Sequence, residues 1–184
     1  MPDIDTHRIF LSAHPTTQSD SIQRLDVRMI FPSPGFVTLA YTLKADMSRI
    51  RVGSEAIPGP ADGLWKHTCF EAFIQPGGSR GYYEFNFSPT RQWAVYRFDA
   101  YREGMTPMEL ASPPDISVSK ALDHLELQST FPLPISAAAA AARRTKLGLA
   151  AVVEEDSGRL CYWAGRHPEG KPDFHHADGF AFEL

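Results

Sequence analysis

Three segments, His67 to Gln75, Gly81 to Ser88 and Gln92 to Asp99, follow one another with Pro76-Gly77-Gly78 and Pro89-Thr90-Arg91 between them. Each is rich in aromatic and branched residues and alternates with a period of two, the period of a strand whose successive side chains leave opposite faces. Proline fixes φ and lacks an amide donor, and glycine turns freely, so the separators are turns. The three segments predict an antiparallel three-stranded meander. A sheet of that kind must bury one face against something else.

The rest of the chain supplies partners for it. Asp26 to Phe31 and Phe36 to Leu43 flank Pro32-Ser33-Pro34-Gly35 and predict a hairpin. Leu122 to Phe131 alternates, with Leu125 and Leu127 on one face, and ends at Pro132. Leu147 to Glu155 and Leu160 to Ala164 face each other across Asp156-Ser157-Gly158, and Gly179 to Leu184 closes the chain. The alanine-rich stretch Ile135 to Arg144 predicts one short helix. The economical fold is an all-β antiparallel sandwich of about ten strands with that one helix. Residues 1–20 form an N-terminal segment able to add an edge strand, and residues 21–184 form the sandwich domain.

Composition excludes several classes of partner. Hydrophobic residues make up 43% and charged residues 22% of the 184, and the formal charge is −4, so no basic surface for phosphates is expected and nucleic acid is excluded. No run approaches the roughly 18 apolar residues of a membrane span. Met1 to Ser21 has no apolar core of a secretory signal. Cys69 and Cys161 sit in apolar strands and read as reduced, buried thiols, so a cytoplasmic location is expected.

Sorting the meander by parity yields an apolar row (Phe70, Ala72, Ile74; Tyr83, Phe85, Phe87) and a polar one that carries Glu71, Glu84 and Asn86. On polarity, Trp93 and Arg97 of the third segment are assigned to the same polar face. Such a face is ordinarily the wet side of a sheet, where cross-strand pairs contribute tenths of a kcal/mol. The alternative is a binding face: planar Glu, Asn and Arg groups engage paired hydroxyls, and an aromatic ring stacks on an apolar sugar face. Trp65, in a loop after Asp62-Gly63, has the best claim among the tryptophans to an exposed role.

A second constellation, Trp163 to Asp178, contains Lys171, Asp173 and His175, which could form a rim over the same ligand. His167, Asp173, His175, His176 and Asp178 lack a tight chelating spacing, so no metal site is expected. No Gly-x-Ser-x-Gly elbow and no phosphate-cradling glycine loop occurs. Glu71 and Glu84 could serve as an acid/base pair of the glycosidase kind, for which the sequence supplies no carboxyl separation.

The motifs Gly63-Leu64-Trp65-Lys66-His67-Thr68-Cys69-Phe70-Glu71-Ala72-Phe73, Tyr83-Glu84-Phe85-Asn86-Phe87-Ser88-Pro89, Trp93-Ala94-Val95-Tyr96-Arg97-Phe98 and Lys171-Pro172-Asp173-Phe174-His175-His176 resemble those of bacterial DOMON-like proteins. That group is similar to the family-nine carbohydrate-binding modules. The resemblance spans roughly residues 20–184 and implies a β-sandwich with one concave ligand face, whose ligands in the wider superfamily are sugars or haem. It marks Trp65, Glu71, Glu84, Asn86 and Arg97 as motif positions. The leading expectation is a non-catalytic module for a small carbohydrate-like ligand, with no cofactor. Two alternatives stay open: a haem-binding redox domain using Met105, Met108, His175 or His176 as axial ligands, and a small enzyme acting on a sugar derivative.

Overall fold

The computed structural model describes residues 6–54, 56–134 and 145–183. The chain is all-β, with fourteen strands in the described residues: β1 (Thr6–Ala13), β2 (Ile22–Ile30), β3 (Phe36–Ala45), β4 (Ile50–Arg51), β5 (Gly59–Pro60), β6 (Cys69–Gln75), β7 (Tyr82–Phe87), β8 (Gln92–Phe98), β9 (Thr106–Pro107), β10 (Asp115–Lys120), β11 (His124–Pro132), β12 (Lys146–Glu155), β13 (Leu160–Ala164) and β14 (Phe182–Glu183). Single 3-10 turns occur at Pro15–Thr17, Met47–Arg49, Leu64–Lys66 and Ala177–Gly179. The helix expected over Ile135 to Arg144 lies outside the described residues.

Eleven strands form one hydrogen-bonded path in the order β10-β11-β3-β2-β1-β13-β12-β6-β7-β8-β5, with β4 and β14 pairing β12 and β9 pairing β8. Every pair is antiparallel except β5 with β8. This differs from the expected ten-stranded antiparallel sandwich: the path is continuous, it curls, and one of its edges is mixed. The reason is β1. Its first six residues pair with β2, and Ser12 and Ala13 pair with Ala164 and Trp163 of β13, so this one strand links the two arms of the sheet.

Curling brings strands distant along the path face to face. Tyr41 of β3 packs on Phe70 of β6 with ring centroids 5.0 Å apart, and Phe85 of β7 lies 4.5 Å from Phe131 of β11. The enclosed core includes Leu25, Val27, Leu39, Leu43, Leu125, Leu127, Leu149 and Ala151, all buried. The predicted meander is β6-β7-β8, and the hairpins β2–β3 and β12–β13 pair as the turn residues require. β10 follows Pro113-Pro114 and has mostly exposed side chains, so its period-two signal is weak.

Phe85 touches both Phe87 and Phe131 and is fully buried. Replacing it with alanine removes the ring from the closure point of the curl. The Phe85→Ala protein is expected to lose about 3–5 kcal/mol of stability, read from the midpoint of urea denaturation; a loss under about 1 kcal/mol would show that the two arms do not depend on this contact.

Candidate ligand-binding site

β6 is hydrogen-bonded to β12 on one side and to β7 on the other, and six of its seven residues are buried. Phe70, Ala72 and Ile74 enter the main core. The opposite row, Cys69, Glu71 and Phe73, points to a second cluster with Tyr82, Ala94, Tyr96, Phe98, Ala150, Ala164 and Phe180, against which Leu64, Trp65 and Phe174 pack. Glu71 is therefore taken out of water on both counts, at 3% exposure.

The register shows why a cavity forms above it. Ala94, Asn86, Glu71, Ala150 and Ala164 stand side by side across β8, β7, β6, β12 and β13. Three of those five are alanines, the shortest side chains on the face that Glu71 shares. Larger side chains stand around them, and the result is a cavity of about 530 Å3 lined by Trp65, Glu71, Glu84, Phe98, Arg102, Met105, Val152, Tyr162, Lys171, Pro172, Phe174 and His175. That volume lies within the usual range for small-molecule sites, about 300–1,000 Å3.

Its electrostatics follow from burial. Burial, reinforced by the neighbouring Glu84, holds the Glu71 carboxyl well above the usual 4.5, and Glu71 Oε1 has no hydrogen-bond partner. Burial also raises Glu84, against the opposing effect of the Asn86 amide, whose Nδ2 donates to Glu84 Oε1 at 2.8 Å. Asn86 is wholly buried and in turn accepts from Cys69 Sγ at 3.4 Å. Burial and the nearby Arg102 lower His175 to about 4, so its ring is neutral at ordinary pH. The Tyr82 hydroxyl accepts from the Arg102 amide and has its own proton for His175 Nδ1, 2.7 Å away. That arrangement leaves the imidazole proton on Nε2, which faces Glu84 Oε2 at 3.7 Å.

Loops build the mouth. Trp65 sits in the 3-10 turn after Gly63, half-buried, edge-on to Tyr96 with centroids 5.7 Å apart; the Tyr96 hydroxyl donates to Asp62. The turn after β8 reverses the chain through Gly104, at φ +66, where a Cβ would lie 2.2 Å from Asp99 Oδ2. It delivers Arg102, itself at φ 55, to the cavity wall. Asp173 ties this turn to the later loop: it accepts from Tyr101 Oη (2.5 Å), Arg102 Nη2 (2.8 Å) and the His175 amide (3.1 Å). Burial alone would raise the Asp173 carboxyl, but those hydrogen bonds outweigh it and hold it low.

Of the residues singled out from sequence, Trp65, Glu71, Glu84, Lys171 and His175 line one cavity. Asn86 stands behind Glu84, and Asp173 braces the rim beside an adjoining cavity that also touches Arg166 and His167. Trp93 and Arg97 are placed elsewhere. Glu84 faces Tyr96 and Asn86 faces Ala94, so the even-numbered residues of β8 share the cavity's face. Trp93 packs on the main core, and Arg97, on the same side but at the strand's end, is exposed and paired with Asp99 at 2.8 Å. Sequence reasoning missed Arg102, Val152, Tyr162, Phe98 and Phe174 as lining residues, and singles out Met105 only as a candidate axial ligand. Val152 and Tyr162 were findable once the β6–β12–β13 pairing was known; Arg102 and Met105 lie in a turn with no periodic signal.

Among the described residues, no three His, Cys, Asp or Glu side chains are grouped to hold a metal ion. A haem iron would need an unengaged axial nitrogen or sulfur. Of the four candidate axial residues, His175 and Met105 line the cavity, and both ring nitrogens of His175 face protein groups. Both cysteines are buried free thiols.

No family profile matches the sequence, and no curated protein does. The fold is similar to two solved structures. A candidate carbohydrate-binding protein from Bacteroides uniformis ATCC 8492 superposes with a TM-score of 0.68 at 14% identity, covering 96% of this chain and 84% of that one. A carbohydrate-binding module of family 9 from Caldicellulosiruptor kristjanssonii, in complex with glucose, superposes with a TM-score of 0.51 at 10% identity, covering 92% and 84%.

The raised Glu71 carboxyl sets a pH dependence of stability. The unfolded chain ionises near 4.5 and the folded chain does not, so the unfolded state binds fewer protons and stability falls as pH rises from about 4.5 toward the folded-state value. Glu71→Gln removes the cost. Its Tm is expected to exceed that of the wild type at neutral pH, with the difference shrinking as pH falls to about 4.5; a parallel pair of Tm–pH curves would show that Glu71 is not held protonated.

Proposed function

We propose that the chain is a cytoplasmic, non-catalytic module that binds a small carbohydrate-like ligand in the cavity over β6. The observation that carries the proposal is a buried carboxyl, Glu71, with an oxygen lacking any partner, on the floor of a cavity walled by Trp65. A buried acceptor left unpaired costs free energy of about 1–3 kcal/mol, so a ligand that brings donors to it gains what the empty site lacks. Sugar hydroxyls are such donors, and Trp65, Tyr162 and Phe98 supply rings for the C–H face of a pyranose. Exposed Lys171 and the Asp173-braced Arg102 supply further donors at the mouth. The fold similarity to carbohydrate-binding proteins supports the same reading, as does the resemblance of the motifs to DOMON-like proteins, in which the two arms of the curled sheet would be the layers of a sandwich.

Isothermal titration against a panel of mono- and oligosaccharides tests it. Trp65→Ala is expected to weaken the best ligand by about 1–3 kcal/mol. Arg97→Ala, on the other side of β8, is expected to leave affinity unchanged. Absence of heat with every sugar, in a protein whose fold is intact, would defeat the proposal.

One observation favours a second reading: two neighbouring glutamates with raised carboxyl values in a cavity are what general acid catalysis requires. An enzyme acting on a sugar derivative would show turnover in a glycoside and lactone screen, abolished by Glu84→Gln; a screen with no turnover removes it.

A further inference from the structure

The floor of the cavity is short of donors in a specific way. Tyr41 Oη, the nearest hydroxyl beneath β6, donates at 2.8 Å to the Glu71 backbone carbonyl and not to its carboxyl. Cys69 Sγ is directed to Asn86, the Asn86 amide to Glu84, the Tyr82 hydroxyl to His175 and the Tyr96 hydroxyl to Asp62. Each of these donors is thus engaged elsewhere or reaches only Glu84, and Glu71 Oε1 is left over; the Tyr162 hydroxyl also stands on the cavity wall within electrostatic reach of Glu71.

The floor is also short of positive charge. Among the described residues Glu71 makes no ion pair. His175, the nearest base to Glu84, is neutral at ordinary pH because burial lowers it to about 4. Arg102, whose charge reaches Glu84 and favours its ionised form, spends Nη2 on Asp173 at 2.8 Å, and Lys171 is exposed at the rim. Asp62, beside Tyr96, adds a further acid near Trp65.

We propose that the ligand presents a primary ammonium group to Glu71 and Glu84, so that the site selects amino sugars over neutral sugars; this rests on the cavity being a carbohydrate site. Glu71 faces Asn86 across the β6–β7 pair, two residues from Glu84, so the glutamates are diagonal neighbours on one face with Cα atoms about 7–8 Å apart. An ammonium between them brings three N–H donors and one positive charge, where a hydroxyl brings one donor and none. Charge-assisted N–H···O bonds are roughly twice as strong as neutral ones. Trp65 and Tyr162 add aromatic rings to the walls, and an aromatic wall also favours a cation. The carboxyls, held protonated in part when the cavity is empty, give up protons to solvent when the ammonium arrives.

The test is calorimetric titration of the full chain with glucosamine, glucose and N-acetylglucosamine, begun at about pH 6, where an amine of this kind keeps its proton. Glucosamine is expected to bind at least about ten-fold more tightly than either neutral sugar. Its affinity should rise as pH is raised through the carboxyl range, with an observed enthalpy that changes with the buffer's ionisation enthalpy because protons are released. Glu71→Gln should bring glucosamine and glucose to equal affinity while both still bind. Equal affinities in the wild type, or a preference for a neutral sugar with no proton release, would overturn the ammonium assignment and leave the carbohydrate reading standing. No binding of any sugar would overturn both.

Discussion

A carboxyl on a strand with no solvent face is the constraint around which this molecule is arranged. β6 is hydrogen-bonded along both edges and buried on both faces, and Glu71 stands in its middle. Removing an ionised carboxylate from water costs several kcal/mol unless partners replace the lost hydration. A chain selected only for stability would have an apolar residue there and close the space above it. Instead the same row carries the small residues Ala94, Ala150 and Ala164, a cavity stands over Glu71, and burial favours the protonated carboxyl. A cost of this kind, left in place beside a cavity, departs from the way a core is packed, and perturbed carboxyls in clefts are where functional sites are sought.

The strands were readable because each face repeats every two residues, and that signal is local. Phe70, Ala72 and Ile74 against Cys69, Glu71 and Phe73 fall on opposite faces of β6 as alternation requires. The overall path was less readable, because it depends on pairings between distant segments. β1 is the example: nothing in Thr6 to Ala13 says that six of its residues pair with β2 while its last two pair with β13. That division makes the sheet one continuous curl. The two-residue strands β4, β5, β9 and β14 are too short to show any period at all.

Parity also shows where reading by residue type fails. Arg97 was grouped with Glu71, Glu84 and Asn86 because all four are polar, yet the register pairs Glu84 with Tyr96 and sends Arg97 to the other side. An odd residue near the end of β8 can be charged without entering the core, since the main-core face runs out into solvent there and Asp99 pairs with it. Conversely the aromatic residues Tyr96 and Phe98, on the other parity of β8, line or back the site. The glutamates on β6 and β7 were identifiable because a carboxyl in the middle of an apolar strand is anomalous wherever it points. Arg102 was not, because its position comes from a tight turn closed by Gly104, and the sequence around it resembles any solvated loop.

Floor and mouth of the cavity are held by different means, and this divides their roles. Glu71, Glu84 and Asn86 are fixed by strands bonded on both sides, so their spacing cannot adjust without breaking the sheet. Trp65, Arg102, Lys171 and His175 come from three separate loops. Two of those loops are tied to each other by Asp173, through Tyr101, Arg102 and the His175 amide, and to β7 by the contacts that Tyr82 makes with His175 and the Arg102 amide. The Trp65 turn is fixed independently, on Gly63 and Tyr96. Specificity that depends on a fixed spacing of donors and charge must therefore come from the floor, because only there does the backbone resist displacement. The loops are braced in two groups that share no hydrogen bond among those described, so a change in one group leaves the other and the floor in place.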